Sequence, residues 1–140
     1  MDMEQFHLGL KALIRNSVGE ILLLEKNPAR VSLPHWDLPG GRMNTDENLE
    51  EALRREVEEE IGINDIKILE QFDISISNKK SDQEHKLLLL TYLCAIENPD
   101  DVRLMDDEHI SYKWCSPEEA SKLLVVKFGP ALAEKVKNLK

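Results

Sequence analysis

A chain of 140 residues with 41% apolar side chains has the size of one ordinary domain and enough apolar matter for a core, which excludes a second domain of normal size. Its 18 Lys and Arg against 27 Asp and Glu give a net charge of -9, which argues against a passive basic surface for polymeric nucleic acid or anionic lipid. An anionic substrate would need a metal ion as intermediary. Cys94 and Cys115 follow no metal-ligand spacing and make no disulfide framework, so they read as reduced thiols in the core. The start, MDMEQF, leads into no long apolar run, and Leu87–Leu90 is too short to span a membrane. A soluble cytoplasmic protein is expected.

Taken in order, Leu8, Leu10, Ala12 and Ile14 alternate, with Leu13 as an extra, and predict a strand over His7–Ile14 with one face buried. Asn16–Gly19 makes a turn into a second, antiparallel strand, Glu20–Glu25. Lys26–His35 holds two prolines and mixed charges and reads as an exposed loop; Trp36–Leu38 forms a short strand before Pro39 and the pair Gly40, Gly41. A helix begins after Asn48, a good N-cap with Glu51 three residues on to complete a capping box, and stops at Gly62. Leu49, Leu53, Val57 and Ile61 form its apolar stripe.

Two long strands follow, Ile66–Ser77 and Glu84–Ile96, joined by the polar tip NKKSDQ. In the first, Phe72, Ile74 and Ile76 are expected on one face and Asp73, Ser75 and Ser77 on the other. The second is apolar on both faces and reads as central. After the acidic loop Glu97–Glu108 come a strand, Ile110–Cys115, a helix capped by Ser116 with Pro117 at its first position, and a closing helix, Lys127–Leu139. The order of elements predicts an α/β or α+β sandwich around a mixed sheet, residues 1–140 forming a single domain.

The chemistry concentrates in Gly41–Ile63, GRMNTDENLEEALRREVEEEIGI. Glu56, Glu59 and Glu60 fall at i, i+3 and i+4, on one face of the helix. On a wheel of about 100° per residue, Glu50, Glu51 and Glu58 point to solvent, whereas Glu60 projects between Leu49 and Leu53 inside the apolar sector. A carboxylate aimed at the core is costly unless it is paired or binds a metal. Oxygen ligands with no histidine or cysteine near by suit Mg²⁺ or Mn²⁺ better than Zn²⁺, and Mg²⁺ sites of this kind usually serve phosphate chemistry.

The stretch resembles the Nudix box, G-x5-E-x7-R-E-U-x-E-E-x-G-U with U aliphatic. Every defined position is met, by Gly41, Glu47, Arg55, Glu56, Val57, Glu59, Glu60, Gly62 and Ile63. A chance match of this kind is on the order of one in a few million. WDLPGG before the box, and a tryptophan strand followed by a helix near the end, are also similar to small members of that family. Asp46 stands where many members have glycine, which implies a modest change of loop shape, since Asp tolerates tight conformations.

The resemblance implies hydrolysis of a nucleoside diphosphate linked to a further group X, by a metal-activated water. Glu59 and Glu60 would be the main metal ligands, helped by the carbonyl of Gly40. Glu56 would be the general base or a further ligand, and Arg55 would orient the glutamates. Glu47 would support the loop or an outer metal; equally, it suits a helix N-terminus as an acid favoured by the dipole.

Outside the box, Glu108, six residues before Trp114, matches a position where small members supply an extra metal ligand. Lys26 and Arg42 are candidate phosphate contacts, Trp36 is a candidate to stack on a base or to pack the loop, and Glu84 and His85 are candidates to face the cleft. The proline or tyrosine that marks ADP-ribose or dinucleoside polyphosphate hydrolases is missing from Ser77–Lys80. By elimination, the expected substrates are nucleoside triphosphates, oxidised ones such as 8-oxo-dGTP included, cut to monophosphate and pyrophosphate. ADP-ribose, nucleotide sugars and dinucleoside polyphosphates are the alternatives within the enzyme class, and a non-catalytic nucleotide sensor is the alternative outside it. A monomer or homodimer acting on a small nucleotide is expected, with neither polymeric nucleic acid nor membrane as partner.

Overall fold

The computed structural model describes residues 2–77 and 86–140, so Glu84, His85 and the whole of the expected hairpin tip lie outside the described residues. Its strands are β1 (Phe6–Arg15), β2 (Ile21–Lys26), β3 (Trp36–Asp37), β4 (Gly40–Arg42), β5 (Lys67–Ser77), β6 (Lys86–Ala95) and β7 (His109–Cys115). Three helices, α1 (Leu49–Ile61), α2 (Pro117–Phe128) and α3 (Pro130–Lys137), and a single 3₁₀ turn at Pro99–Asp101 complete the described elements. No helix among the described residues is long and apolar enough to cross a membrane.

The sheet runs β3-β2-β1-β6-β5, with β4 also on β1 and β7 also on β2. β1 is its axis. It pairs in parallel with β6 from Phe6↔Lys86 to Arg15↔Ala95 and antiparallel with β4 over Gly9–Lys11, so the sheet is mixed as expected. The β1–β2 pairing is antiparallel but confined to Arg15↔Ile21; β2 runs mainly against β7.

Helices cover both sides of this sheet. Leu10, Ala12 and Ile14 of β1 pack with Leu53, Val57 and Ile61 of α1 in one cluster. Leu13 joins a second cluster with Leu124 of α2 and Leu132 and Val136 of α3. Leu13 is therefore no extra: β1 is buried on both faces, because its neighbour on each side is another strand and each face carries a helix layer. β6 behaves as read, sending Leu90 and Cys94 to the first cluster and Leu93 to the second.

β5 departs from simple alternation. Irregularities in its pairing with β6 fall between Ile68 and Glu70 and between Gln71 and Asp73. A bulge inserts one residue and reverses the facing of those beyond it. Phe72 packs on the α2 cluster and the adjacent Asp73 also turns to the α3 side, where Lys135 Nζ reaches its Oδ1 at 2.7 Å. Ile74 and Ile76 consequently sit on the opposite face, each more than half exposed. The last two helices also divide later than the sequence suggests: Lys127 belongs to α2, whose backbone closes at Gly129, and Pro130 opens α3.

Candidate active site

Helix α1 carries the candidate glutamates and is fixed at both ends by local signals. Asn48 accepts the Glu51 N–H at 2.8 Å while Glu51 reaches back to the Asn48 N–H, the predicted capping box. Gly62 ends the helix in the left-handed region (φ 73°), its N–H bonded to the Glu58 carbonyl at 2.9 Å. The loop leading in turns at Asp46, whose φ of 72° bears out its tolerance of a tight conformation.

Glu60 lies where the helical wheel puts it, only 5% exposed. Its Oε2 accepts a hydrogen bond from the Gly40 N–H at 3.3 Å. Burial pushes its carboxyl up to about 8, although Lys11 and the Gly40 N–H pull the other way. Gly40 can approach because it has no side chain. Its φ of 146° is in the region that favours glycine, and a Cβ there would run into the Leu10 carbonyl and lie 2.8 Å from the Lys11 Cα.

Glu56 is half-buried. Burial raises its pKa, opposed by the hydrogen bond from Arg55 Nη1 at 2.8 Å. Glu59 is the exposed member, 3.2 Å from the same Arg55 nitrogen. Arg55 also bonds both carboxylate oxygens of Glu47, with Nη2 to Oε1 at 3.0 Å, and donates to the Arg42 carbonyl at 3.1 Å. One guanidinium thus ties Glu47, Glu56, Glu59 and the loop before α1 together, the fork geometry for which arginine is suited. Hydrogen bonding to Arg55 and to the Asn44 N–H lowers the Glu47 pKa, and those contacts make Glu47 a brace of the loop.

The donor set around α1 is all oxygen, and the Glu60 carboxylate is buried with the Gly40 N–H as its hydrogen-bond partner among the described residues, so these residues fit a hard divalent cation. A cleft lined by Arg54, Arg55, Glu59, Asn64 and Met105 opens beside the exposed end of this edge.

The remaining predicted residues are placed around it. Lys26 Nζ lies 3.7 Å from Glu108 Oε2, and Glu108 groups with Asp106 and His109. Arg42 is exposed and engaged through its carbonyl. Trp36 packs on the α2 cluster, with Lys113 Nζ 4.7 Å above its ring, so its contacts in this structure are those of a packed loop residue.

Sequence reasoning missed a buried charged pair. Lys11 Nζ bonds the Leu38 carbonyl at 3.2 Å and lies 3.1 Å from Asp37 Oδ1. Burial raises the Asp37 carboxyl, but Lys11, Lys127 and the Leu38 N–H outweigh it and hold the carboxyl at about 2. For Lys11, burial is likewise outweighed by Asp37 and Glu60, and its pKa is raised. Both groups are charged, beside Glu60. A lysine interrupting LGLKALI was the available signal, masked because that face of the strand was read as solvent. His109 was also missed; it is buried, and desolvation followed by Lys26 lowers its pKa.

The NUDIX domain family model matches residues 5–136. The chain is 33% identical over 115 residues to the nucleoside triphosphatase NudI of Salmonella agona, covering 76% of this chain and 79% of that one. It is 41% identical over 51 residues to an 8-oxo-dGTP diphosphatase of Haemophilus influenzae, a match that takes in 36% of this chain and spans only 38% of that relative. Among solved structures, a MutT protein from Methanosarcina mazei Go1 superimposes with a TM-score of 0.77 and 31% identity, over 97% of this chain and 96% of that one. With the box complete on a capped helix and the match running almost end to end, the chain belongs to the NUDIX family and is a Nudix hydrolase.

Proposed function

We propose that this protein is a Mg²⁺-dependent pyrophosphohydrolase of nucleoside triphosphates, oxidised guanine nucleotides included, with Mn²⁺ as an alternative ion. The observation that carries the reading is the buried Glu60 carboxylate at the end of an Arg55-braced edge of glutamates. The similarity to a nucleoside triphosphatase over three quarters of the chain supports the substrate class.

Glu59 and Glu60, with the Gly40 carbonyl and Glu56 near by, would hold the ion. When bound, it would supply neutralisation of the phosphate oxygens and activation of water. Glu56 takes the proton as water adds to phosphorus; the P–O anhydride bond breaks, and pyrophosphate leaves with the bonding electrons. Arg55 keeps Glu56 and Glu59 in register for this, and Glu47 keeps Arg55 there. Lys26 and Arg42, on the rim, would meet substrate phosphates.

The test is a panel of nucleotides incubated with Mg²⁺ or Mn²⁺ and the products identified. Triphosphates should give monophosphate plus pyrophosphate. Preferential cleavage of ADP-ribose, a nucleotide sugar or a dinucleoside polyphosphate would move the substrate class. Tight binding of a nucleotide with no turnover would replace the enzyme reading by that of a sensor.

A further inference from the structure

β1 is buried on both faces, yet it carries Lys11, whose side chain is only 12% exposed. An ammonium in such a place needs partners. It finds them on one short segment, residues 37–40. Nζ donates to the Leu38 carbonyl at 3.2 Å and lies 3.1 Å from Asp37 Oδ1, and the same Oδ1 accepts the Leu38 N–H at 2.8 Å. Lys127 Nζ adds charge from 3.8 Å on the Oδ2 side, beyond hydrogen-bonding distance. The neighbouring strand offers another partner, since Thr91 of β6 is paired with Lys11 in register and its buried hydroxyl has no hydrogen-bond partner among the described residues. The ammonium is committed to the segment before β4 instead.

That segment cannot hold itself. β3 ends at Asp37 and β4 begins at Gly40, and Pro39 between them has no N–H to give. Leu38 and Pro39 are buried, and buried carbonyls must be paired. β1 meets each in turn: the Lys11 ammonium takes the Leu38 carbonyl, the Ala12 N–H takes the Pro39 carbonyl at 2.8 Å, and Lys11 pairs with Gly40 across the β1–β4 ladder. The Gly40 N–H then donates to Glu60 Oε2 at 3.3 Å. A shift of the segment would therefore move Gly40 relative to Glu60. Stability alone does not account for the pair, because replacing a buried ion pair by apolar residues of similar volume is often neutral or stabilising.

We propose that Lys11 is a positioning residue of the ion site: by clamping Leu38 and Asp37 it fixes the Gly40 backbone against the Glu60 carboxylate. The role rests on the ion site proposed above, in which Glu60 and the Gly40 carbonyl are ligands. Lys11 acts through the backbone of its neighbours. Charge and position predict opposite results for its loss. A nearby ammonium repels Mg²⁺, so by Coulomb's law alone removing it would tighten Mg²⁺ binding, whereas releasing the clamp would weaken it.

The experiment replaces both partners, Lys11→Met together with Asp37→Leu, which leaves the net charge unchanged and orphans neither member of the pair, so the variant should melt close to wild type. Its Mg²⁺ affinity by calorimetry should fall by about tenfold. In the metal-free protein its Gly40 amide should exchange with solvent several-fold faster, while the Val57 amide of α1 keeps the wild-type rate. Unchanged Mg²⁺ affinity in the folded variant, or Gly40 exchange at the wild-type rate, would overturn the role. Lys11→Met alone separates charge from position: weaker Mg²⁺ binding supports the clamp, and tighter binding overturns it. Should neither variant fold, the wild type decides, since its metal-free Leu38 and Gly40 amides should exchange as slowly as those inside β1, and free exchange there sinks the clamp. A wild-type protein that binds no Mg²⁺ removes the ion site and the role of Lys11 with it; one that binds Mg²⁺ without hydrolysing nucleotides removes the enzyme reading alone.

Discussion

A carboxylate that takes a proton from water must be ionised yet poorly enough solvated to gain by accepting it, and Glu56 sits between those limits. Desolvation raises its pKa and the Arg55 hydrogen bond restrains the rise. Glu56→Gln keeps the shape and removes the basicity, so kcat should fall by ~10²- to 10⁴-fold with the thermal midpoint little changed. Near wild-type turnover would sink Glu56 as the base. The neighbouring glycine gives an independent check. A Cβ on Gly41 would stand 2.6 Å from the Glu56 Cδ and 2.8 Å from its Oε1. The clash is with the far end of a flexible side chain, so Gly41→Ala should fold while moving Glu56 from its place. A loss of turnover comparable to that of Glu56→Gln, in a protein that melts within a few degrees of wild type, is the expected outcome. Full turnover would show that the position of Glu56 is not critical.

Among the elements, α1 is the one whose ends were legible to the residue. Capping box, apolar stripe and terminal glycine are signals spaced within a few residues of each other, and they need no knowledge of the rest of the chain. Asn48→Ala should therefore cost about 1 kcal/mol, seen as a midpoint lower by a few degrees. A melt indistinguishable from wild type would mean that tertiary packing alone holds this end. The strands were legible as strands but not always in their facing. Whether Leu13 or Lys11 meets solvent depends on α2 and α3, which lie over a hundred residues on, and the bulges that turn Asp73 inward depend on β6. The site divides along the same line. Glu47, Glu56 and Glu59 lie one to eight residues from their brace Arg55 and could be read from spacing. The Lys11–Asp37 pair is brought beside Glu60, and His109 beside that pair, only by strand pairing.

At the scale of the whole molecule, Asp37 and Glu60 make the stability of the metal-free protein depend on pH in opposite senses. The carboxyl of Asp37 is held at about 2, below its ordinary 3.8. Its contribution is present above that ordinary value and is lost as pH falls through 2, because the unfolded chain then binds the proton more readily. At about 1.4 kcal/mol per pKa unit this amounts to roughly 2 kcal/mol. Glu60 runs the other way. With its carboxyl raised from 4.5 to about 8, the folded state keeps a proton that the unfolded chain releases, so stability is full below 4.5 and declines as pH rises to 8. The loss is on the order of a few kcal/mol. A cation beside the ionised carboxylate removes the reason for holding that proton, so Mg²⁺ should restore the alkaline side selectively. Denaturant unfolding with a chelator present should therefore show stability falling from pH 5 to 8, with the decline absent in saturating Mg²⁺. Glu60→Gln should flatten the same limb without metal and bind Mg²⁺ more weakly by calorimetry. An unchanged slope in Glu60→Gln, or a wild-type protein that gains stability between pH 5 and 8 without metal, would mean that Glu60 is not the acid this fold buries.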